Sequence, residues 1–303
     1  MHHLIREFHS TPWAVLPGTL AMMQAILGRW ASGVKLSDAE IAAAIGQAPA
    51  EAAARRNREQ SAGGGSIAVL PVFGLISHRA TMVSDVSTGI NTSTETLGQR
   101  IKDAVNDQAV GAIVLDIDSP GGSVYGVAEL ADQIYAARES KPVIASVNSL
   151  SASAAYWIAS AASEIVITPG GEAGSIGVYA AHKDMSAQLE QAGVKVTLIS
   201  AGQYKTEGNP FEPLSDEARE AIQASVNQYY NAFTAGVARN RGVKHNAVLT
   251  GYGQGRTLGA EQAIREGLAD RIGTFADVID GLRSNTKRQS MANTRKRLEL
   301  ASR

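Results

Sequence analysis

A cluster of serines near the middle of the chain is the first candidate for chemistry. Ser149, Ser151 and Ser153 lie in the segment Ser-Leu-Ser-Ala-Ser-Ala-Ala-Tyr-Trp, which follows a predicted strand. Ser153 stands at the start of a predicted helix whose first residues are small. Its hydroxyl is therefore either an N-cap or a nucleophile held close to free helix N–H groups. Ser151 points in a different direction on an extended loop, and Ser149 ranks below both.

A Pro-Gly-Gly segment is the second candidate. The residues Asp118-Ser119-Pro120-Gly121-Gly122 follow a buried strand and precede a predicted helix. As a strand-to-helix turn, the segment leaves backbone N–H groups free at the helix N-terminus, where they can hold an anion or a developing oxyanion. Most segments of this composition are simple tight turns, so the motif indicates catalysis only in combination with others.

A nucleophilic serine requires a base. Three of the six histidines lie in the first nine residues, which leaves His182, His78 and His245 as the main histidine candidates. Lys205, in the segment Gly-Gln-Tyr-Lys-Thr-Glu-Gly-Asn-Pro-Phe, is the other candidate. An exposed lysine, with a pKa of about 10.4, is no base at neutral pH, whereas burial beside aromatic neighbours favours the neutral amine.

The composition excludes several classes of protein. The 303 residues include no cysteine, which excludes a disulfide scaffold, a cysteine-ligated metal site and a thiol nucleophile. The formal net charge of −1 gives no electrostatic basis for binding nucleic acid or an anionic membrane. The apolar stretch Leu16–Ala31 is interrupted by Pro17 and Arg29, is too short to span a bilayer and is not followed by a cleavage signal. We therefore expect a cytoplasmic protein that does not enter a membrane.

Alternating strand and helix signals predict repeated βαβ units between these motifs. Strands are predicted at Ile67–Ile76, Gly111–Ile117, Pro142–Val147, Glu164–Thr168 and Val194–Ser200. Helices are predicted at Thr94–Val105, Val124–Ala137, Ala154–Ala162, Met185–Ala192 and Ser215–Asn240, and a glycine-rich loop at Gly170–Gly177. This alternation predicts an α/β fold with a mostly parallel sheet covered by helices.

The chain divides into three predicted zones. Residues 1–62 form a helical N-terminal extension with a linker, on the capping-box pattern of Ser37–Glu40 and the glycine-rich run Ser61–Gly65. Residues 63–283 form the main domain. Residues 284–303 carry six basic side chains against the single acidic Glu299, and we predict a disordered basic tail.

In order and at sensible spacing, these motifs resemble the signal peptide peptidase A family of serine peptidases. The resemblance covers about Ile67 to Gly273 and is carried by Asp118–Gly122, Ser153 before Ala-Ala-Tyr-Trp-Ile-Ala, Gly174–Val178, Tyr204-Lys205 with Pro210-Phe211, and Arg256–Gly273. Within the family, the chain looks most like the capsid-assembly (prohead) proteases of tailed phages. Those proteases lack the membrane anchor of cellular members and carry an N-terminal helical extension.

The resemblance implies a Ser-Lys dyad. Ser153 would be the nucleophile and Lys205 the neutral general base, and the backbone N–H groups of Gly122 and Ala154 would form the oxyanion hole. Cellular members often have Gly-Gly after the nucleophile, whereas this chain has Ala-Ala there. The shape of the S1 side of the site is therefore expected to differ from theirs.

The resemblance also implies the fold, the substrates and the assembly. The fold would be of the ClpP/crotonase type, and members assemble into homo-oligomeric rings in which Lys205 can serve the Ser153 of a neighbour. Substrate would lie as an extended strand beside Gly121-Gly122, with Gly121 and Ser123 as binding residues. The substrates would be capsid, portal or scaffold polypeptides, and the chain itself, processed during phage head maturation in the host cytoplasm or procapsid. No metal or organic cofactor is required.

Four alternatives stay open. A ClpP-like Ser-His-Asp protease would use His182, with Asp184 nearby in sequence. An acyl-CoA enzyme of the crotonase type would need two backbone N–H donors but neither Ser153 nor Lys205. A cellular protease of the signal peptide peptidase type without an anchor is the third. An inert capsid-assembly module, consistent with the helical N-terminus and the basic tail, is the fourth.

Overall fold

One mostly parallel sheet organises the computed structural model, which describes residues 12–31, 60–62, 65–79 and 91–284. Its strands are β1 (Trp13–Val15), β2 (Gln60–Ala62), β3 (Gly65–Ser77), β4 (Thr92–Ser93), β5 (Val110–Ser123), β6 (Val143–Ala152), β7 (Glu164–Ile167), β8 (Glu172–Gly174), β9 (Thr257–Gly259) and β10 (Arg271–Ile272). The helices are α1 (Pro17–Ala31), α2 (Thr94–Asn106), α3 (Val127–Ala137), α4 (Ala154–Ser160), α5 (Ser186–Gln191), α6 (Asp216–Arg241), α7 (His245–Thr250), α8 (Ala260–Arg265) and α9 (275–284).

The central strands follow the order β10-β7-β6-β5-β3-β2. Neighbours in this row run parallel, except that β2 is antiparallel to β3. β8 lies parallel beside the end of β6, and β1 lies antiparallel beside the end of β5. The predicted fold class, α/β with a mostly parallel sheet, is confirmed. Because parallel strands end at one edge, β5 and β6 bring their carboxyl ends together there, where sites in such sheets form.

The sheet is buried on both faces, which explains the apolar runs of its strands. Ile113, Leu115 and Ile117 of β5 face the larger core, which also contains the buried sides of α2, α3, α4 and α6. Val114 faces the opposite side, where Val278 of α9 belongs to the same cluster. The alternation along β5 therefore assigns one face to each layer of helices.

Capping residues set the ends of the best-predicted helices. The Ser93 hydroxyl accepts a hydrogen bond from Thr96 N (3.2 Å) before α2, and the Ser215 hydroxyl accepts one from Ala218 N (3.2 Å) before α6. α6 ends at Gly242, which has a positive φ of 67°. The predicted helix Ser215–Asn240 is thus confirmed to within a residue at each end.

Several predictions fall at or beyond the limits of the described residues. Ser61 and Ala62, predicted as linker, belong to β2 instead, because they pair with the start of β3. The capping box at Ser37–Glu40 lies outside the described residues, as do residues 285–303 of the predicted tail. The three-zone division stays a prediction, and β1 and β2 of the first zone pair with strands of the second.

Candidate active site

Ser153 has an unusual backbone conformation for a residue with a side chain. It lies between the end of β6 and the start of α4, with φ at 56° and ψ at −118°. Its N–H donates to Gly174 O (2.7 Å), and its own carbonyl accepts from Trp157 N (3.0 Å). Backbone strain of this kind costs about 1–3 kcal/mol and persists where the surrounding structure enforces it, which is common at functional sites.

The Ser153 hydroxyl does not cap α4. Its side chain makes no capping hydrogen bond, and its Oγ donates instead to the carbonyl of Gly177, 3.3 Å away. The N-cap interpretation is therefore wrong for the hydroxyl. Of the rival serines, Ser149 donates to Asp118 Oδ1 (2.6 Å), whereas the Ser151 hydroxyl is buried with no hydrogen-bond partner among the described residues.

Aromatic packing fixes the position of α4, and thereby of Ser153. The Trp157 ring stacks on Phe233 of α6, with centroids 4.7 Å apart and an interplanar angle of 7°. The buried Tyr156 hydroxyl donates to Leu268 O (3.1 Å), and burial raises the pKa of Tyr156. Asn240 Nδ2 donates to Ser160 Oγ (3.0 Å) at the other end of the helix. α4 is thus held along its whole length.

The Pro-Gly-Gly segment is not a strand-to-helix turn, and that prediction is wrong. β5 continues through it to Ser123, and α3 begins only at Val127. The strand passes Pro120 because the register shifts there: pairing with β3 breaks between Phe73 and Leu75. Proline in a sheet is found at such irregularities, where its missing N–H is not needed by a neighbour.

The two glycines of the segment are required by close approaches. Gly121 has a φ of 98°, and a methyl group on its Cα would lie 3.0 Å from Ser153 Cβ. A methyl group on Gly122 would lie 1.9 Å from Ile76 O. Gly121 therefore lets β5 pass directly beside the serine, and Gly122 lets it pass close to β3. We call Gly121, Gly122, Ser153 and Ala154 the nucleophile platform.

The predicted oxyanion donors are both on this platform. Ala154 is the first residue of α4, so its N–H has no partner within the helix.

Gly121, Gly122 and Ser123 form the edge at which substrate is predicted to bind. That edge is occupied: Trp13, Ala14 and Val15 of β1 pair with Ser123, Gly122 and Gly121, respectively. Sequence reasoning missed β1, whose only signal is a run of four apolar residues, Trp13 to Leu16, between two prolines.

The predicted base lies on a differently built part of the chain, residues 180–215. The predicted helix Met185–Ala192 is confirmed as α5, but the predicted strand Val194–Ser200 is wrong, because these residues form no strand and are exposed. Lys205 is exposed, and its backbone N–H donates to the Gly202 carbonyl oxygen (3.2 Å). Within the part of the chain that the structure describes, no hydrogen bond joins Ser153 Oγ to Lys205.

The histidines are engaged elsewhere. His182 Nε2 lies 3.0 Å from Asn209 O, and Asp184 accepts hydrogen bonds from Ser186 rather than from His182. The bonds from Ser186 hold the pKa of Asp184 below its ordinary value. His78 Nδ1 contacts Thr94 Oγ1 (3.1 Å), and His245 Nε2 contacts Thr234 Oγ1 (2.8 Å). The described contacts therefore assemble no Ser-His-Asp triad.

The residues that the structure describes contain neither a candidate metal site nor a helix suited to crossing a bilayer. Among these residues, no three His, Cys, Asp or Glu side chains form a group that could hold a metal ion. In the same ranges, no helix combines the length and the apolar character that crossing a bilayer requires.

Sequence comparison relates more than half of the chain to one group of peptidases. Residues 125–289 match peptidase family S49. The chain is 37% identical over 219 residues to Capsid assembly protease C of Escherichia phage lambda, covering 72% of this chain and 48% of that protein. It is 38% identical over 231 residues to the Head-tail preconnector protein GP5 of Enterobacteria phage P21, covering 74% and 45%. The chain thus spans about half the length of these curated relatives.

A cellular protein and a solved structure are less similar to this chain. A putative signal peptide peptidase SppA from Enterococcus faecium is 31% identical over 189 residues, covering 62% of this chain and 55% of that protein. Among solved structures, a mutant of ClpP1 from Listeria monocytogenes is similar with a TM-score of 0.42 and 15% identity, covering 71% of this chain and 94% of that chain.

Proposed function

This chain belongs to peptidase family S49, and from that premise we propose that it is a serine endopeptidase with a Ser-Lys dyad. Ser153 is the nucleophile and Lys205 the general base. One observation carries the proposal: a serine in a strained conformation holds its hydroxyl away from the helix that it precedes, beside a strand edge made of two glycines. A serine serving only as a cap would need neither the strain nor the glycines.

The proposed reaction is acyl transfer to Ser153 and then to water. Lys205 takes the Oγ proton as Oγ attacks the carbonyl carbon of the scissile bond, and delivers it to the leaving amine. The N–H groups of Gly122 and Ala154 donate to the oxyanion, where one such donor is worth about 3–4 kcal/mol of barrier in other acyl-transfer sites. Substrate lies as an extended strand along Gly121–Ser123. This chemistry uses no metal or organic cofactor.

The base comes from a second copy of the chain in this proposal. Lys205 follows a stretch in which large apolar side chains face solvent, with Ile199 96% exposed and Val194 50% exposed. Burying that stretch against another copy removes apolar area from water and draws the lysine out of bulk solvent. Desolvation favours the neutral amine, which is the form that can accept the serine proton. A homo-oligomeric ring supplies such an interface at every site.

The proposed substrates are polypeptides of a phage head: capsid, portal or scaffold proteins, and the chain itself. The names of two relatives support this proposal, since one is a capsid assembly protease and the other a head-tail preconnector protein. Processing would take place in the host cytoplasm or the procapsid, and residues 63–283 would form the peptidase domain.

Active-site labelling and cleavage test the proposal together. Wild type and Ser153→Ala are treated with a fluorophosphonate, which bonds covalently to activated serines, and the labelled peptide is identified by mass spectrometry. The same proteins are incubated with fluorescently labelled casein. We expect labelling at Ser153 and casein cleavage by wild type alone. Equal behaviour of the two proteins in both assays would refute a serine peptidase and favour an inert assembly module.

A further inference from the structure

The strand β1 lies where a substrate strand would lie. It runs antiparallel to the end of β5, with Trp13 opposite Ser123, Ala14 opposite Gly122 and Val15 opposite Gly121. These three residues of β5 are the edge along which the proposed function places substrate. The chain therefore fills its own groove with residues from its N-terminal region.

Hydrogen bonds hold β1 on both sides. Trp13 N donates to Tyr179 O (2.8 Å), and Tyr179 N donates back to Trp13 O (3.0 Å). On the β5 side, Leu16 N donates to Pro120 O (3.0 Å), and Val124 N donates to Pro12 O (3.5 Å). Because bonded pairs in an antiparallel ladder recur at every second residue, Ala14 is hydrogen-bonded to Gly122 between these two bonds.

The register brings Ala14 to the nucleophile platform. A methyl group on the Gly121 Cα would lie 2.2 Å from Ala14 O and 3.0 Å from Ser153 Cβ, so both groups crowd the same position. The carbonyl of Ala14 is the one that faces the Gly122 N–H. Ala14 is 0% exposed and Ser153 1% exposed. A polypeptide from solution cannot reach Ser153 Oγ while β1 is in place.

We propose that β1 is the first substrate of this peptidase, and that the enzyme cuts its own chain between Ala14 and Val15. The inference rests on the proposed function, because it uses Ser153 and its base as the cutting machinery. Ala14 occupies the position of the residue whose carbonyl is attacked, and it is fully buried there. Cleavage releases residues 1–14 and opens the groove to other polypeptides.

The step balances as ordinary peptide hydrolysis. Ser153 Oγ bonds to the carbonyl carbon of Ala14, and its proton passes to the base. The bond between that carbon and the Val15 nitrogen breaks, and the nitrogen takes the proton from the base. Water then hydrolyses the ester between Ser153 and Ala14, which leaves a carboxylate on Ala14 and restores the serine hydroxyl. Water is the only co-reactant.

The position of β1 can be tested without any catalysis. The chain has no cysteine, so a single introduced pair gives an unambiguous disulfide. Trp13 and Ser123 face each other as a pair that shares no hydrogen bond, a geometry whose Cα separation of about 4.5 Å lies within the range that a disulfide spans. In full-length Ser153→Ala, in which β1 stays uncut, we expect Trp13→Cys with Ser123→Cys to lose its free thiols on mild oxidation. The control pair Met22→Cys with Ser123→Cys, in which Met22 is an exposed residue of α1, should keep them.

The cut is tested by intact mass. Purified wild type and Ser153→Ala are followed over time, and we expect wild type alone to lose residues 1–14 and gain an N-terminus at Val15. Casein cleavage should show a lag that disappears once this fragment is gone.

Each outcome decides a different part of the inference. If the Trp13–Ser123 pair closes no faster than the control pair, β1 is not in the groove and the inference is overturned. If wild type cleaves casein yet keeps residues 1–14, or cuts itself elsewhere only, β1 is no substrate and the inference is likewise overturned. If wild type cleaves nothing and Ser153 is unreactive, the proposed function falls and the self-cut falls with it, while the disulfide still reports where β1 lies.

Discussion

The nucleophile platform and the 180–215 segment differ in how far one chain completes them. Ser153 is almost fully buried, and its neighbours in β5, β6 and α4 hold it from every side. Lys205 lies in a segment whose apolar side chains are exposed and whose predicted strand does not form. In the proposed function, a single protomer thus builds the nucleophile and the oxyanion donors, whereas Lys205 gains its contacts from another copy.

Loss of Ser153 or of Lys205, the two residues of the proposed dyad, should have the largest effect on activity. Ser153→Ala and Lys205→Ala should each lower casein cleavage about 1,000-fold or more, as loss of a nucleophile or its base does in other serine peptidases. His182→Ala should stay within a few-fold of wild type, because that ring contacts Asn209 O and not the serine. Lys195→Ala, another exposed lysine of the same segment, is the matched control. A reversal, with His182 essential and Lys205 dispensable, would favour the Ser-His-Asp alternative.

A methyl group added at Gly122 tests how closely β5 packs against β3 at the nucleophile platform. Gly122→Ala places a Cβ 1.9 Å from Ile76 O in the middle of the sheet, so the free energy of unfolding should fall by about 3 kcal/mol. Gly281→Ala, in α9 with open space around it, should leave stability unchanged or raise it by about 1 kcal/mol. Urea unfolding of both variants measures the difference. Equal stabilities would mean that β5 does not pass Ile76 as closely as described.

A charge added to the 180–215 segment tests whether that segment forms the proposed interface between copies. Ile199→Asp should weaken assembly and lower cleavage about tenfold at a fixed protein concentration, because burying an unpaired carboxylate in an apolar interface costs free energy. The free energy of unfolding should change by no more than about 0.5 kcal/mol, since Ile199 is 96% exposed in one chain. Thr197→Asp, an exposed polar position two residues away, is the control. Light scattering and denaturation measure both quantities, and assembly of Ile199→Asp at wild-type size would show that the segment is not the interface.

The salt bridge between Asp270 and Arg241 should have the smallest effect, and its contribution to stability should depend on pH. Burial acts to raise the pKa of Asp270, but hydrogen bonds from Arg241 (2.6 and 3.0 Å) and Ile165 N (2.7 Å) outweigh it and hold that pKa below its ordinary value. The stability that this carboxylate contributes is therefore present above about pH 4 and lost as pH falls through its folded-state value. Asp270→Asn should lower unfolding free energy by about 1–2 kcal/mol at pH 7.

The pH dependence supplies the check on that prediction. Thermal melts should show that the difference in melting temperature between wild type and Asp270→Asn is smaller at pH 3 than at pH 7. A gap that stays constant would mean that the Asp270 charge contributes nothing to the fold.

Local patterns predicted the parts of the fold that depend on neighbours in sequence. The predicted strand Gly111–Ile117 and the predicted helices Thr94–Val105 and Ser215–Asn240 are of this kind, and the structure confirms them as β5, α2 and α6. Val194–Ser200 has the alternation of a strand, but a strand forms only where a partner offers free backbone groups. Within the described residues no strand pairs with it.

The features that the sequence did not reveal depend on distant contacts. Pro120, Gly121 and Gly122 are turn residues by composition, and only the register shift against β3 keeps them within β5. The positive φ of Ser153 is imposed by Gly174 and by the anchoring of α4, which no residue adjacent to the serine encodes. β1 is too short to be recognised without the edge that it covers. The candidate residues Ser153 and Lys205, and a dyad shared between protomers, could thus be proposed from sequence, whereas the strand that covers the Gly121–Ser123 edge could not.

Mixing two inactive variants tests most directly whether the dyad joins two protomers. Ser153→Ala retains Lys205, and Lys205→Ala retains Ser153, so an assembly containing both can form complete sites between neighbours. The proteins are co-assembled after partial unfolding and refolding, and casein cleavage is compared with that of each variant alone. We expect the mixture to recover activity that neither variant shows. A mixture that co-assembles at wild-type size and remains inactive would contradict it.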